Sequence, residues 1–144
     1  MKSAVAALNL GAVGDFNSAG SVASAASGTA TKAPLRGVGR FSPHCYIQGT
    51  NDNVYCAQSG LFVVTLSLNF QTASATGTRR AEVWKNGALW DWMETPANGS
   101  GNTILRPGGW LIPLVAGEYV SAYGTQGSGS AMNISCGITL ERKA

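Results

Sequence analysis

The sequence predicts an all-β protein, an antiparallel sandwich or jelly roll, on three observations. Only 12% of the 144 residues are charged and 19 are glycine, a composition short of the residues that favour helices. The segment 61–70 alternates strictly between apolar and polar positions, which is the period of a strand with one buried face. Strand-like runs recur roughly every ten residues, separated by turn-forming residues. The inward residues of the first long strand are Phe62, Val64, Leu66, Leu68 and Phe70.

The first predicted hairpin joins two short runs around residues 49–52. Its register sets Cys45 opposite Cys56 and Ile47 opposite Val54. The odd count of three cysteines argues against a disulfide-stapled scaffold, so we expect reduced thiols. A bridge between Cys45 and Cys56 is the alternative, although its cross-strand geometry is restrictive. Cys136 lies on the apolar face of the last strand and is predicted to be a buried thiol.

Six more strands are predicted after the segment 61–70. Asn86-Gly87 between two strand-like runs is the strongest hairpin signal, because both residues of such a turn take positive φ. The last strand alternates as regularly as the first, and its apolar positions run from Met132 to Leu140. The six strands cover residues 79–84, 88–95, 103–106, 110–115, 118–126 and 132–142. Two packed sheets would bury the apolar faces of such a ladder.

The chain changes character near residue 43. Residues 1–43 consist mostly of small residues without a sustained period, and such a segment alone buries too little apolar surface to offset its ordering entropy. Its basic residues exceed its acidic ones by three, whereas residues 44–144 carry six of each. We therefore predict an extended docking arm over 1–43, lying along an acidic protein surface, and a jelly-roll domain over 44–144. The residues assigned to docking are Phe16, Lys32, Arg36 and Arg40.

The arm's basic residues have two other interpretations, a solvated tail and a nucleic-acid contact. Four basic residues and one aromatic, Phe16, over residues 1–40 are a thin electrostatic footprint, so we expect no nucleic-acid partner. No apolar run approaches the roughly 20 residues of a membrane helix, and we expect no membrane partner. The first residues match a signal peptide too weakly to predict secretion.

The sequence shows no set of residues typical of a catalytic or metal site. The single histidine, His44, adjoins Cys45, but neighbours along a strand point to opposite faces. A zinc site needs about four nitrogen or sulfur ligands at close spacing, and the carboxylates show no pairing typical of glycoside hydrolysis. We therefore predict a protein that is not an enzyme and holds no cofactor.

Four motifs resemble, in the same order, those of the C1q/TNF-like jelly-roll family. The run 54–62, Val-Tyr-Cys-Ala-Gln-Ser-Gly-Leu-Phe, is similar to the family's strand B, glycine corner and strand C. The run 83–87 is similar to its Lys-Asn-Gly hairpin, and 114–120 to its Ala-Gly-Asp-x-Val turn, with Glu118 in place of Asp. The run 133–140 is similar to its closing strand. The resemblance covers about residues 44–142 and implies a compact homotrimer, for which Tyr119, Tyr123 and Trp110 are the interface candidates.

The sequence departs from the eukaryotic members because it has no Gly-X-Y region and no cluster of acidic calcium ligands. It is more similar to small virion proteins of tailed bacteriophages. This resemblance implies a trimeric decoration or cement protein on the capsid surface, docked on the major capsid protein and assembled in the bacterial cytoplasm. The alternative is a tail or fibre appendage that recognises host-surface glycans. In that case Trp90 and Trp92, two residues apart and so expected on one face, would stack on sugar rings.

Overall fold

The computed structural model describes residues 13–71, 76–98 and 102–144, and all regular elements in these ranges are β-strands. The prediction of an all-β protein is confirmed. In chain order the strands are β1 Val13–Asn17, β2 Ala23–Ala25, β3 Thr31–Lys32, β4 Gly37–Arg40, β5 Cys45–Ile47, β6 Val54–Cys56, β7 Gly60–Gln71, β8 Thr78–Lys85, β9 Ala88–Pro96, β10 Thr103–Leu105, β11 Trp110–Leu114, β12 Tyr119–Gln126 and β13 Met132–Arg142.

The strands form two antiparallel sheets with the crossovers of a jelly roll. The seven-stranded sheet has the order β10-β7-β13-β1-β4, with β11 also paired to β7 and β2 to β13. The six-stranded sheet has the order β5-β6-β12-β8-β9, with β3 also paired to β12. Strands distant in sequence therefore lie side by side, which gives two apolar faces that pack on each other.

The core lies between the two sheets, and the two long alternating strands supply much of it. β7 and β13 pair from Asn133 opposite Gln71 to Arg142 opposite Phe62, and their predicted inward residues are all buried. From the other sheet, Ala81 and Val83 are fully buried, as predicted. Fully burying a large apolar side chain contributes about 1.5–3 kcal/mol. These strands therefore account for much of the favourable side of the folding free energy.

The predicted boundary at residue 43 needs correction, because the sandwich already includes residues 13–43. β1 lies between β13 and β4, and Phe16 is only 1% exposed within the core. Leu35 is likewise buried. The small residues serve close packing: a Cβ on Gly14 would lie 2.5 Å from the Cys45 sulfur. Short strands of small residues are ordered by pairing with distant strands. The local sequence shows no alternation of apolar and polar residues from which this pairing could be predicted. Residues 1–12 of the predicted arm lie outside the described residues.

Candidate interaction surface

The outer face of the six-stranded sheet carries a group of aromatic side chains. Strand alternation produces it: in β12, Val120 and Ala122 are buried in the core, so Tyr119 and Tyr123 project outward. We call this surface the aromatic face. Its members are Tyr46, Tyr55, Trp84, Trp92, Tyr119 and Tyr123, with Lys32, Arg80 and Glu82 among them.

Five of the six rings of the aromatic face contact a neighbouring ring. Tyr46 stacks on Tyr55 with centroids 5.5 Å apart, and Tyr55 meets Tyr119 at 5.5 Å in a tilted arrangement. Trp84 stacks on Tyr123 at 4.1 Å. Such pairs contribute about 0.5–1.5 kcal/mol beyond their buried area. The mutual stacking fixes the side chains in a broad, preorganised surface.

Polar groups run in a row across the aromatic face. Lys32 is opposite Tyr123, Tyr123 opposite Glu82, and Glu82 opposite Trp92. The carboxylate of Glu82 accepts hydrogen bonds from Trp84 Nε1 (2.7 Å) and Thr125 Oγ1 (2.6 Å). Burial raises the pKa of the Tyr123 hydroxyl, and Tyr119 and Glu82 raise it further. The Glu82 carboxylate is thus engaged within the aromatic face.

The aromatic face presents stacked rings with a few polar groups among them. Within the described ranges, no group of three or more His, Cys, Asp or Glu residues is placed to hold a metal ion. His44 is buried, with its Nδ1 3.0 Å from Gln58 Oε1. Over the same ranges, no helix has the length and apolarity needed to cross a membrane.

The residues predicted for docking do not form a free arm. Phe16 is in the core, and the Lys32 amine donates to Asn51 O at 2.8 Å and to the side chain of Asn53. Arg36 Nε donates to Asp52 Oδ1 at 2.6 Å. These two basic residues therefore hold the segment 32–36 against the β5–β6 turn. Arg40 lies at the exposed edge of the seven-stranded sheet.

Asp52 is the acceptor that joins these segments. Burial alone would raise the pKa of its carboxyl, but hydrogen bonds from Arg36 and from the Leu35 N–H outweigh burial. The pKa of Asp52 is therefore held below its ordinary value of 3.8. A carboxylate with a depressed folded-state pKa stabilises the fold above the unfolded pKa, and this contribution is lost as the pH falls through the folded pKa.

We expect Asp52→Asn to lower the free energy of unfolding by about 0.5–1 kcal/mol at pH 7, the usual range for a partly exposed ion pair, and to have almost no effect at pH 2. Asparagine also tolerates the φ of 60° at this position, so backbone strain is not added. Urea unfolding at the two pH values measures the difference. Arg36→Gln should lower the free energy of unfolding by a similar amount. The double variant should lower it little more than either single change. A loss that persists at pH 2 would contradict the charge-based account.

The three predicted trimer-interface residues are not brought together. Tyr119 and Tyr123 share the aromatic face, but Trp110 is on β11 opposite Val64, where it packs against the core from the other sheet. The sequence interpretation missed Tyr46, Tyr55 and Trp84. The hairpin register that sets Cys45 opposite Cys56 also sets Tyr46 opposite Tyr55, so the first pair could have been found from the sequence.

The two tryptophans predicted to share one face have separate surroundings. Both are exposed, Trp90 at 44% and Trp92 at 45%. A register irregularity between Val83 and Trp84 breaks the alternation of β9 beside Trp90. Arg80 lies 4.3 Å from the Trp92 ring and Lys85 lies 5.5 Å from the Trp90 ring. The two indoles therefore contact different cations, and the strict alternation that predicted one shared face is interrupted at Trp90.

Comparison with solved structures shows the same fold in distant proteins. Eiger TNF from S. frugiperda matches with a TM-score of 0.68, 13% identity and 94% of each chain covered. The globular domain of zebrafish complement 1qA matches with a TM-score of 0.65, 8% identity and 92% of this chain and 97% of that one covered. The phage protein PRD1 vertex protein P5 matches with a TM-score of 0.60, 15% identity and 92% and 96% coverage.

These likenesses confirm the predicted C1q/TNF-like jelly roll. No protein family matches the sequence, and a search of curated proteins finds no match. Because 94% of this chain is covered by the first of these structures, the shared fold includes residues that the sequence interpretation had assigned to an arm.

Proposed function

We propose that this protein is a structural component of a phage virion, a homotrimer that decorates the outer surface of the capsid. The observation that carries the proposal is the aromatic face, a preorganised contact surface on a domain whose described residues form no metal cluster. The shared fold of PRD1 vertex protein P5 over nearly the whole of both chains supports a virion location. No catalytic activity is part of this proposal.

The aromatic face is proposed as the surface between copies of the chain. Tyr119 and Tyr123 are half-buried and already stacked on neighbouring rings, so little side-chain entropy remains to be lost on association. Aromatic residues are enriched in interface cores. The proposed trimer would have the native mass of three 14.8 kDa chains.

The proposed capsid contact is the edge of β4. Arg40, one of the four residues predicted for docking, lies there and is exposed. Phe41, which follows it, is 79% exposed, and Val38 is exposed beside it. β4 ends the path of the seven-stranded sheet, so no other strand of the described residues lies beyond its edge. Large exposed apolar groups at such an edge are typical of protein contact sites. The guanidinium of Arg40 would complement an acidic surface of the major capsid protein.

We expect Phe41→Ser to reduce capsid occupancy at least tenfold, because an aromatic anchor in an interface commonly carries 2 kcal/mol or more. Purified protein is added to particles that lack it, and bound protein is measured after sedimentation. Leu111→Ser is the matched control, since Leu111 is 56% exposed on β11 of the same sheet. Both variants should keep the native mass of a trimer. Equal occupancy by the wild type and the Phe41 variant would contradict the β4 contact.

The location itself is tested by antibody labelling of purified particles. Labelling over the head supports a capsid decoration protein, and particles without any label would refute the proposal. Labelling at the tail would favour the alternative, an appendage that recognises host-surface glycans. The exposure of the Trp92 indole supports that alternative, and Trp92→Ala should then weaken adsorption, whereas Met93→Ala on the same strand should not.

A further inference from the structure

Two cysteines of the β5–β6 hairpin face each other across the strands. Cys45 is opposite Cys56 in the register, as predicted. Both thiols are free, and the side chains are 3% and 1% exposed. Their common burial places them on the same inward side of the hairpin. The remaining cysteine, Cys136, is in β13 opposite Leu68, in the other sheet.

The backbone hydrogen bonds identify the type of this pair. The N–H of Cys56 donates to Glu118 O and its carbonyl accepts from Gly117 N, both at 2.8 Å, so both groups point away from β5. Ala57 N donates to His44 O at 2.7 Å, one step along the hairpin. Cys45 and Cys56 are therefore a non-hydrogen-bonded pair, whose Cα atoms lie about 4.5 Å apart. That separation falls inside the range for disulfides, about 4.4–6.8 Å.

We propose that Cys45 and Cys56 form a disulfide site that is oxidised by small-molecule disulfides of the glutathione class. The thiolate of one cysteine attacks the external disulfide, forms a mixed disulfide and releases one small thiol. The second thiolate then attacks the protein sulfur of the mixed disulfide and releases the other small thiol. The protein loses two electrons and two protons, the external disulfide is reduced to two thiols, and one Sγ–Sγ bond forms.

The burial of the pair makes the reaction slow. Burial raises the pKa of the Cys45 thiol to about 11 and also raises the pKa of Cys56, whose Sγ donates to Gln58 O at 3.0 Å. Because the thiolate is the reacting species, oxidation should accelerate as the pH rises. The bond would lock the hairpin that presents Tyr46 and Tyr55 to the aromatic face.

The test uses the full reduced chain, incubated with oxidised glutathione at pH 7 and pH 9 and, separately, refolded from urea in a glutathione buffer. We expect the loss of two hydrogens in the intact mass, a peptide map that joins Cys45 to Cys56, and one titratable thiol left of three. Oxidation should be faster at pH 9. Closing this short loop should raise the unfolding midpoint by about 8 °C.

Two variants separate the site from general thiol oxidation. Cys136→Ser should form the bridge and show the same rise in midpoint, whereas Cys45→Ala should show neither. The proposal is overturned if refolding in the glutathione buffer gives no Cys45–Cys56 bond, if Cys136 is the partner, or if the bridged protein lacks a cooperative unfolding transition. The peptide map of the wild type decides these outcomes even if a variant fails to fold.

Discussion

Deletion of residues 1–40 is expected to abolish folding, not merely docking. The deletion removes β1 to β4, and with them the partner of β13 from Val13 opposite Glu141 to Asn17 opposite Gly137. It also removes Phe16 and Leu35 from the core. Each such side chain contributes about 1.5–3 kcal/mol, and a domain has only about 5–15 kcal/mol of net stability. Thermal unfolding followed by circular dichroism should show no cooperative transition.

Two comparisons make this expectation specific. A deletion that stops at residue 12 leaves every described strand in place and should unfold cooperatively. Phe16→Ala, which removes one buried ring and keeps the strands, should cost about 3–5 kcal/mol in urea unfolding. A chain without residues 1–40 that still unfolds cooperatively, with a native far-ultraviolet spectrum, would restore the interpretation of this segment as a separate arm.

Gly77→Ala is the second large effect that we expect, a loss of about 3 kcal/mol in the free energy of unfolding. Gly77 has a φ of +76°, which L side chains rarely adopt, and a Cβ there would overlap the backbone carbonyl of Gly127. The peptide unit of that carbonyl is hydrogen-bonded, because its N–H, that of Ser128, donates to Gln126 Oε1 at 2.8 Å. The neighbour is backbone and cannot rotate away, so the overlap adds about 1–3 kcal/mol of packing strain to the cost of the conformation.

Gly109→Ala is the matched control because it separates the two causes. Gly109 has nearly the same φ, +79°, but a Cβ there has no neighbour within 4 Å. We expect it to cost about 1–2 kcal/mol, the conformational part alone. Urea unfolding of both variants gives the difference directly. If the two variants lose equal stability, the close approach of Gly77 to Gly127 does not constrain the fold.

Much of the fold could be predicted because its two longest strands show a clear alternation of apolar and polar residues in the local sequence. β7 and β13 alternate without interruption, and Asn86-Gly87 takes positive φ at both positions as its hairpin requires. The register of the β5–β6 hairpin followed from its turn, and it is confirmed residue by residue. In each case the signal lies within a dozen neighbouring residues, where side-chain period and turn chemistry act.

The early segment could not be predicted because its order comes from elsewhere in the chain. β2 and β3 have three and two residues, too few to show a period, and they are held by β13 and β12. Of the basic residues that suggested a docking arm, Arg36 is paired with a distant carboxylate, Asp52, and the Lys32 amine donates to Asn51 O and to the Asn53 side chain. The local sequence does not show whether a lysine or arginine is free to bind another protein or is already bonded to a distant residue of its own chain.

By itself, the sequence determined the all-β fold, the inward faces of β7, β8 and β13, the buried thiol of Cys136 and the opposition of Cys45 to Cys56, because these depend on local alternation and turns. The tertiary structure alone decided which surfaces are free. It placed Phe16 in the core and joined Tyr55 to Tyr119 across strands. It also placed an irregularity in register at Trp90, which interrupts the alternation expected between Trp90 and Trp92. Exposure depends on which distant strands pack together, so the candidate interaction surface is a property of the assembled sheets.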